Sequence, residues 1–388
     1  MGHAGLTYLH GRAIHFLASS RRVNATPGGH IVNRRTMNRI AISLVLATLI
    51  LQGCNKNNDT DERVFYWPVS SPSAQGLDPD RIDLAYVRAK ELGFVDALLV
   101  IRNGYLVAEE YHNGYGRNVP HQLWSVTKSF TSALVGIALD KGLINNLDVK
   151  VMNYFPEYAY PGMDQRFYDI TIRNLLSMRM GIDKEQNNLI PVVSTDNWIR
   201  ETFKLPILYD PGTRFAYNSL QSLLLSSIIT RTSGMTTRQF AEKYLTGPMG
   251  IEIFDWGTDP QGNNIGGYDL FLTAREMAVL GYLYLNDGVI NGTQIVPHEW
   301  IEASWQKTAL NDGSWGVLTK YNYGFHWWIG EMNGYDLYIA WGMGGQFIIC
   351  VPEPQLIVVA TANASISWDN EQEYPILELI SDYILSAL

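Results

Sequence analysis

The sequence predicts an α+β fold: one antiparallel sheet assembled from N- and C-terminal segments and flanked by helices, with a mostly helical subdomain inserted at about residues 124–310. Three observations predict it. Strand-like segments occur near residue 100, helix-like segments dominate the middle, and strand-like segments return before a final helix. The chain has 388 residues, 46% hydrophobic and 17% charged, enough to bury a large core. The formal net charge of −9 is spread out without a basic block. That excludes nucleic acid as an expected partner, because phosphate binding needs clustered Lys and Arg. No Cys-x-x-Cys or His-Glu-x-x-His spacing occurs, so no metal site is expected, and no cofactor.

In chain order, residues 1–36 read as neither signal nor domain, and Met37 is the expected start after an over-extended reading frame. "MNRIAISLVLATLILQGC" (37–54) has Arg39 in a short polar head and an apolar run from Ile40 to Leu51. The run is short for a membrane span and fits a secretory signal. Its end, Leu51-Gln52-Gly53-Cys54, resembles a bacterial lipobox. The expectation is a lipoprotein signal peptide at 37–53, lipid on Cys54, and anchorage on a bacterial cell-envelope membrane facing the periplasm. A plain signal peptide or short anchor is the alternative. A tether at 54–76, opening with the polar "NKNNDTDER", would lift a body spanning 77–388 off the membrane. With Cys54 lipidated, Cys350 has no partner and is expected as a small apolar residue on a buried strand.

"LDPDRIDLAYVRAKELG" (77–93) carries a capping Asp, apolar residues at helical spacing and a stopping Gly. "DALLVIRNGYLVAEEYH" (96–112) reads as two strands around an Asn103-Gly104 turn. Helices are expected in "KSFTSALVGIALDKG", "TIRNLLSM", "NSLQSLLLSSIITRTSG" and "LTAREMAVLGYLYLNDG". Strands are expected at 323–330, 335–342, 346–351 and 356–363, and a last helix at 374–388.

Three elements carry candidate chemistry. In "LWSVTKSF", Ser125 and Lys128 are three residues apart, on one face of a helix. A serine hydroxyl must lose its proton as it attacks, and a buried lysine held neutral can take it. Backbone N–H groups at a helix start favour negative charge beside the serine. In "YDPGTRFAYNS", Tyr217 could place a phenol beside Lys128, whose ammonium would lower the phenol's pKa and fit it to shuttle protons. A packing role for Tyr217, with Asn218 or Ser219 as a helix cap, is the other reading. In "AWGMGGQFIICVPE", glycines between two strands allow close backbone approach to a ligand, and a strand N–H could pair with that of Ser125 around an oxyanion. The other reading there is a plain β-turn.

In this order, and with "VMNYFPEY", "ITIRNLLSMRMGI", "MGIEIFDWGTDPQGNNIGG" and "YGFHWW", the chain from about residue 78 resembles the serine β-lactamase and penicillin-binding-protein superfamily. Within it, the chain is similar to the class C β-lactamase-related group of family VIII carboxylesterases and 6-aminohexanoate-dimer hydrolases. The resemblance implies a β-lactamase-like fold with Ser125 as acylated nucleophile, Lys128 as its base and Tyr217 as the second-motif tyrosine. It also implies an oxyanion hole from the N–H groups of Ser125 and Met343. Trp124, Ser219, Trp327, Trp341 and Gly342 are the expected substrate contacts. Two departures bear on function. Ala340-Trp341-Gly342 stands where β-lactamases have Lys-Thr-Gly, and Tyr217-Asn218-Ser219 where they have Tyr-x-Asn. The absent lysine would grip a β-lactam carboxylate. An aromatic wall from Tyr323, Trp327, Trp328 and Trp341 favours small-molecule esters or linear amides. A cell-envelope esterase or amidase is therefore expected ahead of a β-lactamase or D-amino-acid peptidase, and ahead of a non-catalytic sensor. His326 is weighed as an additional acid/base group against a solvent-facing or core position.

Overall fold

The computed structural model describes residues 65–308, 313–366 and 372–388. The expectations for residues 1–36, the signal at 37–53, Cys54 and the tether as far as residue 64 lie outside the described residues.

From Phe65 onward the expected tether is part of the body, which corrects the boundary at 77. Trp67 is buried, its indole donates to Arg275 O at 3.3 Å, and its ring meets Phe65 and Tyr282 at 4.7 and 5.7 Å. Aromatic area of this kind is too favourable to leave in water when a partner is in reach. The segment then touches the sheet through a bridge from Val69 to Leu106.

Helix α1 (Pro79–Leu92) opens where Asp78 accepts the Asp80 and Arg81 N–H groups at 3.0 and 3.4 Å, and it closes on Gly93 at φ 73°. Strands β1 (Val95–Arg102) and β2 (Tyr105–Tyr111) turn at Asn103 and Gly104, with φ of 52° and 80°. Two successive positive φ values match a tight hairpin to strand twist. The middle of the chain adds β3 (His121–Gln122), α2 (Thr127–Asp140), α3 (Ile172–Leu176), α4 (Glu185–Val193), α5 (Trp198–Thr202), α6 (Ser219–Ser233), α7 (Thr237–Tyr244), β4 (Asp255–Trp256), β5 (Leu270–Leu272), α8 (Ala274–Leu285), β6 (Val289–Ile290), β7 (Thr293–Gln294) and α9 (His298–Ser304). The sheet resumes with β8 (Gly313–Trp315), β9 (Leu318–Tyr323), β10 (Trp328–Met332), β11 (Tyr335–Gly342), β12 (Gln346–Val351) and β13 (Leu356–Ala362).

The large sheet runs β2-β1-β13-β12-β11-β10-β9-β8, with antiparallel neighbours. The two ends of the chain meet inside it: β1 lies against β13, Leu99 opposite Val359. α1 and α10 (Glu373–Leu379) share a core with one face, and α2 and α8 share a core with the other. Strands covered on both faces are buried along their length, and β1, β12 and β13 are, apart from Arg102 at the end of β1.

Three differences from the expectation have physical causes. α8 lies in the inserted stretch yet packs on the main sheet, where a Cβ at Gly281 would meet Ile357 and Ile348 at 2.9 and 3.0 Å. The strand expected at 323–330 is interrupted: β9 ends at Tyr323 and β10 begins at Trp328, with a corner at 324–327 between them. Gly324 there faces Ser304 O too closely for a Cβ (2.1 Å), and His326 takes φ 61°. The last helix changes winding after Leu379, to a π turn at Ile380–Ile384 and a 3-10 turn at Leu385–Ala387. Cys350 sits on β12, fully buried against Gly281, and burial pushes its thiol pKa up.

Candidate active site

Ser125 stands in a 3-10 turn, Trp124–Val126, that runs directly into α2. Trp124 has φ 48°, a conformation a bulky residue rarely adopts and that costs about 1–3 kcal/mol. Leu123 N–H to Leu270 O (2.8 Å) and Val126 N–H to Leu123 O (3.1 Å) hold the turn in place. Gly342, at the end of β11, presses on the same turn: a Cβ there would meet Leu123 O at 2.3 Å. Glycine at 342 is therefore a condition for bringing the third element beside Ser125. Ser125 remains half-buried and reachable, whereas α2 is buried from Thr127 to Ala138.

Lys128 is 1% exposed. Its Nζ lies 2.8 Å from Ser125 Oγ, 2.9 Å from Ser219 Oγ and 2.8 Å from Gly267 O. Burial brings its pKa down to about 8, against a smaller upward pull from Glu185. Gly267 can offer its carbonyl because it has no side chain; a Cβ would meet that of Ser219 at 2.8 Å.

The Tyr217-Asn218-Ser219 stretch enters α6. Asn218 is the cap, its Oδ1 accepting Leu220 N–H at 3.0 Å while its amide donates to Asp183 O and Asn188 Oδ1. Against the larger upward effect of burial, the neighbouring Ser125 side chain pulls the Tyr217 pKa down. Lys128 Nζ sits over the Tyr217 ring, 4.7 Å from its centroid. The phenol's pKa is raised well above its ordinary value by burial and by the Glu185 carboxylate, which corrects the expectation of an ammonium-lowered phenol. Glu185 itself was missed. Its Oε2 accepts both the N–H (2.9 Å) and the hydroxyl (2.5 Å) of Ser219, and its own N–H donates to Tyr217 O at 2.9 Å. Thirty-four residues separate the two, and no spacing rule connects such a pair.

Several expected substrate contacts are placed elsewhere. Ser219 is 3% exposed and bonds inward to Lys128 and Glu185. Trp327 is fully buried against Tyr284 (4.6 Å) and Trp305 (6.1 Å), because the corner at Gly324–His326 turns it into the core. Its neighbour Trp328 stacks on Tyr217 at 5.6 Å instead, and meets Tyr321, Tyr323 and Trp341 at 4.9, 4.6 and 5.8 Å. Trp341 is half-buried and packs on Trp315 at 4.7 Å. Trp124 is half-buried on the serine turn, and Met343 follows Gly342 in the β11–β12 turn. His326 is a core residue: its Nδ1 donates to Lys128 O (3.1 Å), its Nε2 meets Ser222 Oγ (3.3 Å), and its carbonyl accepts from Ser129. Burial and Lys128 lower its pKa to about 3, so it is neutral.

A buried amine between two hydroxyls, one half-exposed, beside a phenol and an aromatic wall suits nucleophilic chemistry at a carbonyl. Known proteins share the arrangement's scaffold. The chain is 26% identical over 290 residues to a 6-aminohexanoate-dimer hydrolase of Paenarthrobacter ureafaciens, an alignment covering 68% of this chain and 71% of that protein. The solved structure of EstCE1, described as a hydrolase with promiscuous acyltransferase activity, superposes with a TM-score of 0.65 at 16% identity, covering 81% of this chain and 100% of that one. The octameric penicillin-binding protein homologue from Pyrococcus abyssi does so with a TM-score of 0.61 at 20% identity, covering 79% and 76%. The family model described as Beta-lactamase matches residues 87–380: the chain belongs to the beta-lactamase family of hydrolases, within the superfamily of serine β-lactamases and penicillin-binding proteins.

Proposed function

We propose that the protein is a serine hydrolase of the cell envelope that cleaves ester or linear amide bonds through an acyl-enzyme on Ser125. The observation that carries this reading is the buried Lys128 amine, pKa about 8, at 2.8 Å from the half-exposed Ser125 hydroxyl. In acylation the Ser125 proton passes to Lys128 Nζ as Oγ attacks the carbonyl carbon. The oxyanion is held by the N–H groups of Ser125 and Met343. Tyr217 gives its proton to the leaving group and recovers one from Lys128. Because its raised pKa makes a free phenolate costly, the phenol gives and takes protons in one coupled step. Water then attacks the ester, and Ser125 regains its hydrogen as the acid leaves.

The ester or amide preference is supported by the aromatic wall of Tyr217, Tyr321, Trp328 and Trp341, and by Trp341 standing in place of a carboxylate-gripping Lys-Thr-Gly hydroxyl. The 6-aminohexanoate-dimer hydrolase and EstCE1, described as a hydrolase with promiscuous acyltransferase activity, point the same way. The soluble body from about residue 62 should turn over p-nitrophenyl butyrate or a linear amide far faster than nitrocefin or a D-Ala-D-Ala peptide. Its kcat/KM should rise with pH through a midpoint near 8, because only the deprotonated Lys128 accepts a proton. Faster nitrocefin turnover, or a rate flat between pH 6 and 10, would contradict this.

Envelope location rests on the sequence at 37–54, with lipid on Cys54. The full chain expressed in bacteria should fractionate with membranes, and Cys54→Ala should release it into the soluble fraction. Equal membrane retention of both would remove the anchor from the account.

A further inference from the structure

Lys128 Nζ has three oxygen neighbours, but a neutral amine has two N–H groups and one lone pair. Which neighbour faces the lone pair decides whether the amine can act on Ser125. Gly267 O has no hydrogen and can only accept, at 2.8 Å. Ser219 Oγ has one hydrogen, and the Glu185 carboxylate lies 2.5 Å away as an acceptor. With that hydrogen committed to Glu185, Ser219 offers Lys128 a lone pair and takes its second N–H. Ser125 is then the one neighbour left with a proton to give, and the amine's lone pair must face it.

We propose that Glu185 is a positioning residue: acting through the Ser219 hydroxyl, it turns the Lys128 lone pair toward Ser125. The inference rests on Lys128 being the base of the proposed reaction. Glu185 is built into the second motif from both sides, accepting Ser219 N–H at 2.9 Å and donating its own N–H to Tyr217 O at 2.9 Å. It also bears on protonation. The titratable groups facing Lys128 are Tyr217, a neutral phenol under the amine, His326, held neutral by burial, and Glu185, which pulls the lysine pKa upward against burial.

Glu185→Met keeps the side-chain length but removes the acceptor, so the Ser219 hydrogen is free to occupy the Lys128 lone pair. With p-nitrophenyl butyrate, kcat should fall about 10- to 1000-fold, the range for groups that orient a catalytic partner. The rising limb of the pH profile should move to lower pH, because the carboxylate no longer holds the lysine pKa up. Ser219→Ala should also lower kcat, and Ser219→Ala/Glu185→Met should be no slower than Ser219→Ala alone, since the path through the hydroxyl is already cut. Circular dichroism and urea midpoints establish that each variant is folded. Glu185→Met with unchanged kcat, or losses that multiply in the double variant, would overturn the proposal. Failure of the underlying reading looks different: the parent protein itself would show no limb near pH 8.

Discussion

Ser125→Ala lowers kcat/KM for a good ester or amide substrate by about a thousand- to a million-fold, the scale seen when a nucleophile is removed from a cooperating set. The substitution deletes one half-exposed hydroxyl, and Lys128 keeps Ser219 Oγ and Gly267 O at 2.9 and 2.8 Å, so the fold stays intact. KM should change far less than kcat, because the aromatic wall around Trp328 and Trp341 is untouched. Steady-state kinetics on the folded variant check this, and a rate within a few-fold of the parent would refute the assignment of the nucleophile.

Lys128→Met is the second large effect. Methionine fills a similar volume without a proton acceptor, and turnover should fall by about a hundred- to ten-thousand-fold, the usual contribution of a general base. Its stability should respond to pH in a definite sense. The folded-state pKa of Lys128 is about 8 against 10.5 for the free side chain. Below pH 8 both folded and unfolded chains are protonated, and folding carries the whole cost of burying an ammonium. Between pH 8 and 10.5 the unfolded chain holds the extra proton, so the parent gains stability as pH rises. Urea midpoints of the parent should therefore climb relative to Lys128→Met from pH 7 to pH 10. A constant difference would mean that the amine is not strained by burial.

What the sequence made legible divides along physical lines. Local signals were readable: the Asp78 cap, the Asn103-Gly104 hairpin and the apolar runs of β12 and β13 each follow from a rule acting within a few residues. The meeting of β1 with β13 was legible because both ends of the chain carry strands and need partners. The Ser125–Lys128 pair was legible because helical spacing places the residues together. Side-chain direction at the 324–327 corner was not. A strand reading assigns alternate faces, but Gly324 and the left-handed His326 break the alternation, so Trp327 enters the core and Trp328 takes its place beside Tyr217. Tyr217 was placed correctly near Lys128, yet its protonation depends on burial and on Glu185, which are properties of the assembled site. The same reason hid Glu185 and sealed Ser219 inward: their bond spans two helix starts that only the tertiary fold brings together.

The claim on which the account stands is that the Ser125 hydroxyl becomes acylated during turnover. Acid-quenching the protein during saturating turnover of p-nitrophenyl butyrate, followed by mass spectrometry of its peptides, tests it most directly. The account predicts one butyryl group on the peptide bearing Ser125 and none in Ser125→Ala. Steady consumption of the ester with Ser125 unmodified, or with the acyl group on another side chain, would contradict it.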